Sequence, residues 1–320
     1  MPITEEALAR LAAIPGLTVL SGAPLADRTR FGIGGPARFF AETGCHGAFA
    51  AALGAAREAA LPTIVIGGGT NLIVSDEGFA GLVLRYTERE IRAAGDLLTA
   101  GSGAVLDMVV DFANCRGLAG LETFAGIPGW LGGAVYGNAG AYGHAIGERV
   151  ERVAFFDGES VRDLDAAGCE FAYRESVFKR RKDWIVLSAT LRLAPGDAAA
   201  LAASSASIRA TRDAKFPPTM KCAGSVFKNL LLRDLPPAVA ALIPAAVVRE
   251  GKVPAAWFLE QVGAKGIRRG DIMVADYHAN LIFNTGAGSA RDLCALIADL
   301  KRRVRARFGI ALEEEVQYVG

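Results

Sequence analysis

Two glycine-dense segments limit what this chain can fold into. One is Gly67-Gly68-Gly69-Thr70-Asn71, directly after the apolar run that ends at Ile66; the other runs from Ala125 to Gly143 and reads AGIPGWLGGAVYGNAGAYG. Glycine lets backbone amides approach a ligand closely and adopts φ > 0, so two such loops point to a backbone wrapped around a phosphate-bearing cofactor. Either loop alone reads equally well as a set of tight turns between strands. Together they favour a ligand, and with it a nucleotide enzyme.

The 320 residues exceed what one compact core usually holds, so two or three domains are expected. Lys and Arg (35) nearly balance Asp and Glu (34), and a net charge of +1 gives no global field for nucleic acid or an anionic membrane surface. Phosphate binding must then be local. The N-terminal region shows no basic-then-apolar signal pattern and no apolar run is long enough to span a bilayer, so a cytoplasmic protein without membrane insertion is expected. Five scattered cysteines (Cys45, Cys115, Cys169, Cys222, Cys294) form no C-x-x-C pair and read as reduced thiols. The three histidines lack metal-ligand spacing, so no metal centre is expected.

Residues 1 to 20 read as a short amphipathic helix and a loop, Asp27 to Phe40 as turn-rich, Ala48 to Ala60 as helix, and Leu61 to Ile66 as a strand feeding the first glycine loop. LIVSDEGFAGLVLR follows, two strand-like runs around a turn. A dinucleotide-binding Rossmann unit would need a helix opening on the glycines there, so that reading fails. Leu97 to Ala100 reads as strand, Val105 to Arg116 as helix, and Val150 to Leu193 as strands with turns at Asp157-Gly158 and Gly168. Pro195-Gly196-Asp197 marks a boundary. Helix from Ala198 to Lys215, strands at Ile272 to Val274 and Asn280 to Phe283, and helix from Ala290 to Phe308 complete the pattern. The basic run Lys301, Arg302, Arg303, Arg305 and Arg307 reads as a solvated helix face.

FAYRESVFK (171–179), AGSVFKN (223–229) and LEEEV (312–316) each set a proton donor or charge beside aromatic or branched residues, as where a polar group is held rigidly in a dry pocket. With the two glycine loops, these motifs resemble, in order from about Arg30 to Val319, the UDP-N-acetylenolpyruvoylglucosamine reductases, flavoenzymes of bacterial peptidoglycan synthesis. The resemblance implies an α+β, vanillyl-alcohol-oxidase-type (PCMH-type) fold with non-covalent FAD. Two α+β subdomains (1–85 with 311–320, and 86–195) would hold the flavin, and a C-terminal α+β domain (196–310) would take the substrate. It implies NADPH as co-substrate and UDP-N-acetylglucosamine enolpyruvate as substrate.

In such proteins Gly67, Gly68, Gly69, Thr70 and Asn71 would face the FAD pyrophosphate. Ile127, Pro128, Gly129, Gly132, Gly133, Asn138 and Gly140 would run along the cofactor. Arg174 would bind the enolpyruvyl carboxylate or enolate, a task suited to a planar cationic fork. Glu315 would share in activating that carboxylate, and Ser225 would donate the final proton. Tyr173, Arg212, Lys215, Lys228, Asn229, His278 and Asn280 would line the substrate. Read on their own, Ser225 is a hydroxyl bonding its own backbone, Arg174 a surface ion pair with Glu175, Glu315 a solvated carboxylate, and His278 and Asn280 a strand-edge hydrogen-bond pair. The chain lacks the tyrosine-bearing insertion of longer members between Leu193 and Ala198. Three departures stand out: Glu314 where the family has proline, Leu230 where proline is usual, and Trp130-Leu131 where smaller residues occur. A related flavin oxidase or dehydrogenase, or an inactive sugar-nucleotide-binding regulator, are the alternatives. Oligomeric state is not legible.

Overall fold

Alternation of apolar and polar residues along short β-branched runs, with alanine-rich stretches between them, yields strands covered on one face by helices in a computed structural model that describes residues 2–320. Met1, the first residue of the expected N-terminal helix, lies outside the described residues. The chain divides into two compact units. The first comprises residues 1–23, 37–69 and 80–218; the second comprises 24–36, 70–79 and 219–320.

The first unit holds two sheets. Four strands run in the order Thr18–Pro24, Pro36–Thr43, Phe79–Tyr86 and Thr63–Val65, the last two parallel with Val65 opposite Leu84. The helices Pro2–Ala12 and His46–Glu58 bury Ala7, Leu11, Phe49, Ala52 and Ala56 against Phe39, Leu82 and Leu84. The turn-rich expectation for Asp27 to Phe40 holds to Gly35 and fails over Pro36 to Phe40, which belongs to the strand Pro36–Thr43, where Ala37, Phe39, Ala41 and Thr43 are buried as along one face of a strand.

The second sheet has the order Val161–Asp165, Val150–Phe156, Ile185–Arg192, Leu97–Gly101 and Ile91–Ala94, antiparallel throughout. Its covered face packs on Val109, Val110 and Ala113 of the helix Leu106–Cys115 and on Leu131, Ala134 and Val135. The helix Ala198–Lys215, capped by Asp197 on the Ala200 N–H, is fastened to Leu106–Cys115 by the buried Asn114 Nδ2 to Ser205 Oγ bond (2.8 Å). Arg209 adds bonds to Asp107 at 3.0 Å and an ion pair with Asp111.

In the second unit Lys221–Ser225, Leu281–Asn284, Ile272–Val274 and Arg268–Arg269 form an antiparallel sheet in that order. The helix Ala290–Phe308 starts at the Ser289 cap and stops at Gly309 in the left-handed region (φ 69°). Its buried stripe of Leu293, Leu296, Ile297, Leu300 and Val304 follows the 3.6-residue period. Its basic face is largely ion-paired: Lys301 meets Glu314, while Arg302 and Arg303 meet Asp299. Gln317–Val319 pairs in parallel with Leu72–Val74, bringing together stretches about 245 residues apart. Among the described residues no helix is long and apolar enough to cross a membrane, and no cluster of His, Cys, Asp and Glu could hold a metal ion.

Candidate active site

The first glycine segment leaves the strand Thr63–Val65 and turns on Gly69 (φ 69°), a conformation that disfavours a side chain. The N–H groups of Gly67, Gly68 and Gly69 donate to no acceptor among the described residues, although Gly69 is buried. A run of backbone donors without a protein acceptor is a nest for anionic oxygens, so the chain's own geometry fits a pyrophosphate here. A Cβ on Gly68 would lie 3.1 Å from Trp130 Cδ1 and 3.2 Å from its Nε1. The Trp130 ring, 5.3 Å from the Arg85 guanidinium, therefore braces this loop.

The second glycine segment is not all loop. Leu131–Tyr136 forms a short helix, because LGGAVY places Leu131, Ala134 and Val135 on one buried face. Gly132 allows close approach to protein: its N–H donates to Ser102 O at 2.9 Å, and a Cβ there would meet Ser102 Cβ at 2.7 Å. Gly133 is exposed with open space where a Cβ would stand. Ile127 packs on the core, Pro128 is exposed, and Gly129 O accepts from Leu106 N–H at 2.9 Å. Asn138 is 5% exposed, and its amide is used inside the protein, donating to Ala172 O (2.7 Å) and accepting from Gly147 N–H (3.0 Å).

That amide ties the glycine segment to a tight turn whose tip is Tyr173-Arg174, closed by reciprocal backbone bonds between Ala172 and Glu175 (3.1 Å each). Arg174 has φ 59°, its Nη2 donates to Gly140 O at 2.9 Å, and its guanidinium lies 5.5 Å from the Tyr173 ring centre. Gly140 must be glycine for this approach, since a Cβ would lie 2.7 Å from His144 O and 3.0 Å from Arg174 Nη1. Glu175 ion-pairs with Lys179 (2.9 Å), and Lys179 also donates to Arg174 O (2.8 Å), which holds the turn. Ser176 was not singled out in the sequence, yet it is fully buried and its Oγ donates to Tyr136 O at 2.7 Å. Burial, with Glu175 adding, pushes the Tyr136 phenol up. Arg212 and Lys215 end their helix around Phe216, with cationic groups 6.0 and 5.1 Å from its ring.

Ser225, in the second unit, ends the strand Lys221–Ser225 opposite Leu281, just after a bulge and Gly224 at φ 75°. Its hydroxyl bonds to no described residue, so it does not cap its own backbone. Two residues on, Phe227 is gripped by Asn280, whose Oδ1 accepts from Phe227 N–H (2.9 Å) and whose Nδ2 donates to Phe227 O (2.8 Å). Asn280 is 2% exposed, and this clamp is what its side chain does. His278 Nδ1 accepts from Asn280 N–H (3.2 Å), and Asn229 Oδ1 accepts from Ala255 N–H (3.3 Å). Lys228 is buried and ion-pairs with Glu313.

Glu315 is brought to the Ser225 strand directly: its N–H donates to Val226 O at 2.8 Å, and its carbonyl accepts from Asn71 Nδ2 at 2.9 Å. Of the proposed residues, the second unit therefore gathers Asn71, Ser225, Lys228, Asn280 and Glu315 around one strand. The first unit gathers Asn138, Gly140, Tyr173 and Arg174 around one turn.

A profile described as an FAD binding domain matches residues 37–160. With backbone donors at Gly67–Gly69 and the two α+β sheets, it makes this chain a flavoprotein, an FAD-dependent oxidoreductase of the α+β FAD-binding fold. A second profile, the C-terminal domain of UDP-N-acetylenolpyruvoylglucosamine reductase, matches residues 216–319. The reductase of that name from Solibacter usitatus (strain Ellin6076) is 66% identical over 97% of this chain and 100% of its own length. The one from Rubrobacter xylanophilus is 36% identical over 93% and 94%. The crystal structure of UDP-N-acetylenolpyruvylglucosamine reductase from Thermus caldophilus superimposes with a TM-score of 0.72 at 28% identity, covering 95% of this chain and 99% of that one. The chain belongs to the UDP-N-acetylenolpyruvoylglucosamine reductase family.

Proposed function

We propose that the protein reduces the enolpyruvyl ether of UDP-N-acetylglucosamine enolpyruvate to UDP-N-acetylmuramate for peptidoglycan synthesis, using NADPH. FAD, which Gly67, Gly68, Gly69 and the 125–143 segment would hold, would supply hydride-transfer chemistry between the nicotinamide and the enolpyruvyl vinyl group. The chain's residues do the rest. Arg174, held in its turn by Gly140 and Lys179, binds the substrate carboxylate, on which negative charge grows as the hydride arrives. Glu315 shares the stabilisation of that carboxylate by hydrogen bonding. Ser225 gives its hydroxyl proton to the α-carbon, which then carries carbanion character.

A serine hydroxyl is a weak acid, so the role suits only a strongly basic acceptor. Arg212, Lys215 and Lys228 suit the diphosphate, while Tyr173, Asn229 and His278 border the substrate; Asn280 acts through Phe227. In this reading FAD is held non-covalently, and no histidine lies between His46 and His144 to tether it near the first glycine loop. The division into FAD-holding parts 1–85 with 311–320 and 86–195, and a substrate domain 196–310, belongs to the same proposal.

The observation that carries the reading is the Ser225 hydroxyl, which bonds to no described residue, next to Val226, whose carbonyl accepts from Glu315 N–H at 2.8 Å. The deciding experiment follows the anaerobic flavin spectrum as NADPH and then the enolpyruvyl sugar nucleotide are added. Bleaching and then recovery is expected. Ser225→Ala should bleach normally and recover far more slowly, and recovery at the wild-type rate would remove Ser225 from the mechanism.

A further inference from the structure

The three consecutive carboxylates of the Leu312–Val316 run are held differently. Glu313 pairs with buried Lys228. Glu314 receives Lys301 Nζ on both carboxylate oxygens, each at 2.8 Å, and faces Phe227 in an antiparallel bridge. The bonds flanking that bridge are Lys228 N–H to Glu313 O (2.9 Å) and Glu315 N–H to Val226 O (2.8 Å), so Phe227 and Glu314 form the pair that exchanges none. The Glu314 N–H therefore donates to no described residue.

Beyond Glu315 the run is pinned by Asn71, whose Nδ2 donates to Glu315 O and whose carbonyl accepts from Gln317 N–H (2.9 Å each), and by the Gln317–Val319 ladder, whereas on the Glu313 side only the single bridge sets register, and slippage there by one residue would move the run roughly 3.4 Å along residues 226–228. Lys301 reaches Glu314 from the Ala290–Phe308 helix, whose turn here is anchored by fully buried Leu300 and Val304. The side chains of Lys301 and Glu314 are only 37% and 19% exposed, and both carboxylate oxygens are engaged, unlike a mobile surface pair.

We propose that Lys301, acting through Glu314, is a positioning residue that fixes the Glu313–Val316 run so that Glu315 stands in register beside Ser225. It replaces with a charge-assisted bond the stiffness that a proline at 314 would give. The inference rests on the reading of Glu315 as a catalytic residue.

The test measures the two half-reactions of the holoenzyme separately. Lys301→Met should leave flavin reduction by NADPH within about twofold of wild type. It should slow substrate-driven reoxidation about tenfold or more, the scale of a small misplacement, and Lys301→Arg should recover most of the loss. Because the ladder does not use the Glu314 N–H, Glu314→Pro should fold, and in that background Lys301→Met should have no further effect on reoxidation. Glu315→Gln separates the two claims. If it leaves reoxidation unchanged, the catalytic reading of Glu315 falls and the positioning role with it. If Glu315→Gln slows reoxidation while Lys301→Met slows both half-reactions alike, or neither, the positioning role alone is overturned. Should Lys301→Met fail to retain flavin, Glu314→Gln, which removes the charge at nearly constant volume, carries the same comparison.

Discussion

Arg174 occupies the left-handed region at φ 59°, a placement of order 1 kcal/mol uphill for a residue with a Cβ. Its neighbours enforce it: two backbone bonds close the turn, Lys179 holds the Arg174 carbonyl, and Gly140 takes the guanidinium. A lysine would keep the charge but lose the planar fork that serves Gly140 and a carboxylate together. Arg174→Lys should therefore slow substrate-driven reoxidation by about a hundredfold, the usual scale for losing a charge-stabilising donor, with flavin reduction unaffected. Stopped-flow traces of both steps decide it, and equal loss in both would mean a folding defect. The sequence marked Arg174 but offered Glu175 as its partner. Glu175 also meets Lys179 four residues on, and the carbonyl that Arg174 uses lies 34 residues back, beyond any local pattern.

At the scale of elements, the Asn280 clamp and the first glycine loop invite direct tests. Asn280→Ala would leave the Phe227 N–H and C=O, 1% exposed, without partners, at a cost of about 2–4 kcal/mol. Urea denaturation should show the loss, and a change below about 0.5 kcal/mol would mean that water or a shifted strand replaces the amide. Gly68→Ala would press a methyl group against Trp130 at 3.1 Å, so a fluorescence titration should find weaker FAD binding with the fold intact. Unaltered FAD affinity would separate this loop from the pyrophosphate. Glycine spacing alone disclosed this loop, because permissive residues are visible in a sequence. The brace behind it was not visible: Trp130 registered as an oversized residue and Arg85 not at all, although a charge inside the strand GLVLRY was a signal. The strand Pro36–Thr43 and the helix Leu131–Tyr136 were missed because glycines beside them drew both stretches into loops.

Over the whole molecule, buried acids set the alkaline limit of stability. Burial, with Asp165 adding, pushes the Cys169 thiol up to about 12 from its ordinary 9.0. Burial, then Glu88 and Cys45, pushes the Tyr86 phenol up to about 12 from 10.0. The folded state prefers both groups protonated. Their contribution is complete below pH 9 for Cys169 and below pH 10 for Tyr86, and it is lost as pH rises toward 12. The urea midpoint should fall across that window, and Cys169→Ala, less stable at neutral pH, should fall less steeply; parallel slopes would exclude the thiol. Length gave only a chain of two or three domains, and the order of motifs gave the resemblance to the family that implied the α+β fold. The parallel pairing of Leu72–Val74 with Gln317–Val319 could not be read from either, since short β-branched runs do not name their partners. That pairing has a consequence for biosynthesis. A nascent chain that has reached residue 218 already contains every strand of both sheets in the first unit, whereas Leu72–Val74 must wait with an open edge until 317–319 are made. A ribosome stalled just past residue 218 would therefore carry every strand of the first unit's sheets together with a Leu72–Val74 strand that still lacks its partner, an edge for a chaperone to protect.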